Sequence, residues 1–254
     1  MKLVTLMENT SCRESLSCEH GLSLYIETEN HKILFDAGQS SAFADNAEKL
    51  GVDLSEVEFA VLSHGHYDHS GGLGRFLEIN QSAPVYVSRN AFEPHYSANG
   101  YIGMDQGLKA SSQIRYVGEE TVPAKGITLY QLEKAPLDTA GLQMEENGER
   151  KPDDFRHEQY LMIEERGKRI LISGCSHKGI LQIVEAFRPD ILVGGFHFMK
   201  ITEEEKLKAA AEKLLEYDTV YYTGHCTGQS QYACLKSLMG DKLHYIATGT
   251  VLEI

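Results

Sequence analysis

No apolar run in this 254-residue chain approaches the ~18 residues a membrane-spanning helix needs, so a soluble protein is expected. Basic residues are also short: 24 Lys and Arg stand against 37 Asp and Glu, a formal charge of −13. With no basic patch to neutralise phosphates, neither nucleic acid nor a membrane surface is an expected partner. Five cysteines, Cys12, Cys18, Cys175, Cys226 and Cys234, form an odd set without framework spacing. Reduced thiols are expected rather than disulfides. The opening "MKLVTLMENT" lacks an h-region and a small-residue cleavage site and reads as a first strand. The expectation is therefore a cytoplasmic protein. Repeats, low-complexity tracts and linkers are missing too, and the apolar (42%) and charged (24%) fractions are those of an ordinary globular chain. One domain over residues 1–254 is expected.

What is present is an alternation of strands and helices. "KLVTLM", "LSLYIET" and "KILFDAG" read as an antiparallel meander. "SSAFADNAEKL" places Phe43, Ala47 and Leu50 at helical spacing after serines suited to capping. "FAVLSH" is a short buried strand. Residues 88–157 are glycine-rich and polar, with only "ITLYQLE" clearly a strand, and are expected to be irregular loops near a site. Beyond them "QYLMIEERGKRILIS" is a hairpin turning at "ERGK", "KGILQIVEAF" a helix and "DILVGGF" a strand. "TEEEKLKAAAEKLLEY" is a helix with a capping box, Thr202 and Glu205, and an apolar stripe of Leu207, Ala210, Ala211, Leu214 and Leu215. "TVYYTGHCTG", the helix-like "SQYACLKSLMG" and a terminal strand complete the order. Frequent hairpins among helices favour α/β (α+β) sheets covered by helices over a doubly wound parallel sheet.

One stretch stands apart. "SHGHYDHSGG", residues 63–72, holds His64, His66, Asp68 and His69 within six positions. A lone histidine in a turn is ordinary surface chemistry. Four candidate ligands together raise repulsion and desolvation costs that a divalent cation relieves, so a metal site is expected. His64 and His66, two apart, can face one ion, and the adjacent Asp68 and His69 can point apart towards a second. Gly65, Gly71 and Gly72 permit the tight backbone path.

"HGHYDH" resembles the HxHxDH signature of the metallo-β-lactamase-fold superfamily. "FDAG" upstream and "ISGCSH" and "TGHCTG" downstream fall in that superfamily's order over essentially the whole chain. "GCSHKGI", "GGFHF" and "HCTG" are similar to its dihydropterin-ribofuranosylaminobenzene-phosphate synthase-like subgroup. The resemblance implies a four-layer αβ/βα sandwich of two mixed sheets with helices outside, and two divalent metal ions at the rim, zinc first, with manganese or iron as alternatives. It implies that His64 and His66 bind the first ion, Asp68 and His69 the second, and that His225 in "TGHCTG" supplies the last ligand. Where the superfamily usually places a bridging aspartate, this chain has Cys175, with His177 two residues on. His177 could complete a three-histidine set, and Cys175 is either a thiolate ligand or a small buried hydrophobe. His157 lies near the superfamily's middle histidine motif, as a ligand or in a solvated or supporting role. Asp36 in "FDAG" is expected to orient ligand histidines, with structural capping as the alternative.

Two ions about 3.5–4 Å apart make hydroxide available near neutral pH. The expectation is a binuclear hydrolase with bridging hydroxide as nucleophile, Asp68 orienting it or relaying its proton, and His197 contacting substrate or donating a proton, or else a structural histidine. The preferred substrate is a phosphorylated or otherwise anionic small molecule. The alternatives are synthase chemistry on a pterin or aminobenzene ribose phosphate, a diiron redox centre and a non-catalytic ligand-sensing scaffold. A glutamate replaces His66 in the redox motif. Cys226 is expected to pack, and Cys12, Cys18, Cys234, His20, His31, His95 and His244 carry no assigned chemistry, although His95 and Tyr96 could line the pocket.

Overall fold

The computed structural model describes residues 1–136 and 138–254. Its strands form two seven-stranded sheets. The first runs in the order Val251–Glu253, Lys2–Met7, Ser23–Glu27, Lys32–Phe35, Phe59–Val61, Val85–Ser88, Ile114–Val117. Its first half is antiparallel and its second half parallel, from Lys32–Phe35 onward. The second sheet runs Leu243–Tyr245, Val220–Thr223, Ile191–Val193, Lys168–Ile172, Tyr160–Glu165, Ile127–Tyr130, Glu120–Ala124, parallel over its first four strands.

Alternation along the strands sends one set of side chains inward. Leu3, Leu24, Ile26, Phe35 and Val61 of the first sheet meet Leu129, Leu161, Ile163, Ile172 and Val193 of the second in one buried layer. Intervening residues face outward and are covered by helices. Ala42–Lys49 and Leu73–Ile79 pack Phe43, Ala47, Leu73 and Phe76 over the first sheet. Ile180–Phe187, Glu204–Leu215 and Gln229–Met239 pack Ile183, Leu207, Leu214 and Leu235 over the second. The result is helix, sheet, sheet, helix, as the resemblance implies.

Two expectations are corrected. Within residues 88–157, a small sheet joins Glu149–Pro152, Gln143–Glu146, His95–Ser97 and Gly100–Tyr101, and Ile114–Val117 and Glu120–Ala124 extend the main sheets; residue 137 of the stretch read as loop lies outside the described residues. Short strands interleaved with Gly and Asp turns hide their periodicity. The Thr202–Glu205 capping box does not form: the helix starts at Glu204 with Glu203 as its cap residue and no side-chain cap bond, and Leu215 at the end of the stripe is exposed.

Candidate metal centre

Five of the parallel strands set the site, because their carboxyl ends share one rim and each is followed by a turn that bears a site residue. Asp36 follows Lys32–Phe35, His64 follows Phe59–Val61, Cys175 and His177 follow Lys168–Ile172, His197 follows Ile191–Val193 and His225 follows Val220–Thr223. Four of these turns hold a non-glycine residue in the left-handed region: Asp36 (φ 58°), Ser176 (φ 55°), His197 (φ 59°) and His225 (φ 50°). Such strain persists where surrounding contacts impose it, and it gathers at functional sites. Glycines serve this rim by leaving space. A Cβ on Gly65 would stand 2.0 Å from the Ala91 carbonyl oxygen, and one on Gly72 2.1 Å from that of Ala37.

Two groups of donors converge. In the first, His64, His66 and His177 are all buried, their ligand atoms lie within 4.8 Å of one another, and His64 Nε2 is 3.3 Å from His177 Nε2. In the second, His69 Nε2 is 3.2 Å from His225 Nε2 and 3.8 Å from Asp68 Oδ2, and His225 Nε2 is 3.4 Å from Asp68 Oδ2. Donors held tetrahedrally at ~2.05 Å from a zinc ion stand about 3.3 Å apart, so both spacings fit such a cation. Cys175 Sγ is 3.2 Å from His69 Nε2 and also groups with His64, His177 and His225. It occupies the place between the two sets.

Hydrogen bonding at the far side fixes the tautomers of His69, His225 and His64. His69 Nδ1–H donates to Asp36 Oδ2 at 2.6 Å and His225 Nδ1–H to Asn9 Oδ1 at 2.8 Å. The Ser63 hydroxyl donates to Asp36 Oδ2 at 2.7 Å and therefore accepts from His64 Nδ1–H at 2.8 Å. In its neutral form each of these three rings keeps a lone pair on Nε2, and those of His69 and His225 point at each other across 3.2 Å. Converging lone pairs in a dry site call for a proton or a metal ion between them. His66 Nε2 is likewise buried, with no hydrogen-bond partner among the described residues.

Electrostatics agree. Burial, reinforced by neighbouring imidazoles, holds His64 and His177 well below 6.5, and burial with His157 does the same for His66, so their lone pairs are free. Burial alone would raise the Asp68 carboxyl, but His69, His20 and His225 outweigh it and keep it well below its ordinary value. Burial opposes charge on His69 too, yet Asp36 and Asp68 win and raise it to about 9. Without a cation, burial pushes the Cys175 thiol up; a coordinated metal reverses that.

His197 lines both a cavity of about 180 Å³ over Asp68 and Cys175 and an adjoining one of about 580 Å³ between Ile180 and Ala210. Its Nδ1 is buried, with no hydrogen-bond partner among the described residues. His157 is buried rather than solvated, and its Nδ1 accepts the Gly65 N–H at 2.8 Å. That bond puts its proton on Nε2 and lets the ring support the ligand loop, while the same Nε2 also groups with His66, His95 and Asp153 within 4.8 Å. Several contributors carried no motif. His20 Nε2 meets Asp68 Oδ2 at 3.2 Å, Asn9 holds His225, and buried Glu8 accepts the His225 N–H at 2.5 Å. His95 is fully buried beside His157, 3.8 Å between ring centroids, and Cys226 Sγ packs 3.5 Å from the Cys175 carbonyl. No spacing rule flags Glu8, Asn9, His20 and His95, because they lie far in sequence from the ligands they reach.

A sequence model of the metallo-beta-lactamase superfamily matches residues 16–225. An uncharacterized protein of Methanocaldococcus jannaschii is 31% identical over 234 residues, spanning 88% of this chain and 89% of its own length. From the same organism, 7,8-dihydropterin-6-methyl-4-(beta-D-ribofuranosyl)-aminobenzene-5'-phosphate synthase is 31% identical over 265 residues, spanning 90% and 88%. The crystal structure of Tm1679, described as a metal-dependent hydrolase of the beta-lactamase superfamily, superposes with a TM-score of 0.84 at 30% identity over 100% of this chain and 99% of that one.

Proposed function

The chain belongs to the metallo-beta-lactamase superfamily, and from that premise we propose that it is a binuclear metal-dependent hydrolase acting on a phosphorylated or otherwise anionic small molecule. The observation that carries this reading is the pair of donor sets: His64, His66 and His177 facing Asp68, His69 and His225, with Cys175 between. Zinc suits this mixture of imidazole, carboxylate and thiolate, with manganese and iron as alternatives. Two such ions would bring a shared water towards deprotonation at neutral pH and polarise an electrophile.

The protein's own groups supply the rest. Asp68, whose side chain is 11% exposed, borders the smaller cavity and contacts His20 Nε2, so it can orient a water and pass a proton outward. His197 sits where that cavity meets the larger one. Burial lowers its affinity for a proton but Cys226 more than compensates and raises it from the ordinary value, so this ring could offer a proton to a leaving group in the cavity it lines. Lys200 lines both cavities and favours an anion there.

Similarity to the dihydropterin synthase over 90% of the chain favours a second reading, chemistry on a related ribose phosphate. Both readings are tested by supplying zinc-, manganese- or iron-loaded protein with phosphomonoesters, phosphodiesters, carboxylic esters and an aminobenzene ribose phosphate. Turnover of an anionic ester that disappears on chelation is expected. Conversion of the ribose phosphate alone, without net hydrolysis, selects the synthase reading, and no turnover of any compound by protein carrying two ions refutes both.

A further inference from the structure

Outside the ligand motifs, the segment "DDFRHEQ", residues 153–159, reaches the first donor set from both sides. His157 Nδ1 holds the Gly65 N–H, the peptide between His64 and His66. Asp153 Oδ2 accepts His95 Nδ1–H at 2.7 Å and lies 3.6 Å from His157 Nε2, where the neutral ring turns its N–H dipole towards the carboxylate beyond hydrogen-bond distance. Its Oδ1 accepts the Phe155 N–H at 2.8 Å. Phe155 adopts φ 51°, costly for a bulky side chain, and its ring lies flat on His177 with centroids 4.3 Å apart and planes at 9°. Glu158 grips His177 by the backbone. Its Oε1 accepts the His177 N–H at 2.7 Å, while Oε2 accepts the Lys178 N–H at 2.9 Å and the Tyr160 hydroxyl at 2.6 Å.

Both carboxylates are 1% exposed. Burying an acid is expensive unless its hydrogen bonds are filled, and here one bond of each leads to the first donor set, the His177 N–H on Glu158 and the N–H of Phe155, which stacks on His177, on Asp153. We propose that Asp153 and Glu158 are positioning residues for the first ion: Asp153 braces the His64–His66 loop through His157 and His177 through Phe155, and Glu158 fixes the His177 turn. The proposal rests on the metal-centre reading above.

The test uses Asp153→Asn and Glu158→Gln, near-isosteric changes that each set an amide N–H₂ against an N–H donor whichever way the amide turns. Cobalt-loaded full-length protein is mixed with excess chelator, and the visible spectrum and release of each ion are followed beside melting of the metal-free protein. Expected in each variant is one ion released roughly ten- to a hundredfold faster, with a changed ligand-field band, and the other unaffected. Equal acceleration of both ions, or of neither, overturns the proposal. So does a third ion in the wild type that Asp153→Asn removes, because His66, His95, Asp153 and His157 would then be ligands themselves. Should the carboxylate variants fail to fold, Phe155→Leu keeps an apolar side chain while removing the stacked ring; selective loosening of the same ion is expected and unchanged release overturns the claim. A wild type that takes up no ion at all overturns the metal reading and this proposal with it, whereas two ions with variant-independent release refute the positioning alone.

Discussion

Replacing Asp36 with Asn should weaken both ions at once. Asp36 Oδ2 accepts from His69 Nδ1 at 2.6 Å and from the Ser63 hydroxyl at 2.7 Å, while Oδ1 accepts the Ser63 N–H at 2.7 Å. An asparagine amide facing His69 and Ser63 pushes the His69 proton onto Nε2. It also turns the Ser63 hydroxyl towards His64 Nδ1, driving that ring's proton to Nε2 as well. Both ligand lone pairs are then capped by hydrogens. Turned the other way, the amide opposes the Ser63 N–H and the pocket loses a buried hydrogen bond. The backbone itself should not object, since asparagine tolerates the left-handed φ of 58° at this position. Loss of such a supporting carboxylate typically costs 10- to 100-fold in metal affinity, or about 1.4–2.7 kcal/mol per ion. The assay is competition against a chromophoric chelator, with circular dichroism to verify folding. Wild-type affinity for both ions in a folded Asp36→Asn protein would refute the tautomer argument.

Other outcomes follow from the same geometry. His177→Ala should lose one of two ions and His225→Ala the other, checked by metal analysis after dialysis; loss of both from either variant would contradict separate donor sets. Gly65→Ala, whose Cβ would stand 2.0 Å from the Ala91 carbonyl oxygen, should displace the ligand loop and cost about 1–3 kcal/mol, read from urea midpoints. The metal-free protein should be least stable away from neutrality. Burial lowers His64, His66 and His177, and takes His157 to about 4, so the unfolded chain binds protons first as pH falls below 6.5 and stability declines through that window by on the order of 1.4 kcal/mol per pH unit per ring. His69, raised to about 9, has the opposite sign: its contribution is present below 6.5 and lost between 6.5 and 9. Flat urea midpoints from pH 5 to 9 would contradict both.

Much of this architecture was legible in the chain, and the reasons are local. The meander, the hairpin at Arg166 and Gly167, and the helix Ile180–Phe187 carry strong periodicity between turn residues. The cluster at 63–72 announces itself because its candidate ligands are contiguous, whereas His177, Cys175 and His225 are reached through the resemblance of "ISGCSH" and "TGHCTG" to the superfamily's motifs. Legibility failed where function depends on distant chain segments. Glu8, Asn9, His20 and His95 meet the site only after both sheets form, and Glu158 looks like any acid before a strand. The four-stranded sheet within 88–157 went unseen because two- to four-residue strands are too short to display alternation. Thr202 had the right spacing for a cap, but the chain remains extended through Glu203 and the helix begins beyond its reach.

The central claim is a pair of cation sites, and metal content per chain tests it most directly. Purified protein incubated with zinc, manganese or iron and then desalted should retain about two ions, in keeping with a binuclear centre, with fewer in a His64→Ala/His66→Ala variant. No retained metal at neutral pH, or the same content in the variant, would contradict the account and leave a metal-free ligand-sensing scaffold as the reading of this fold.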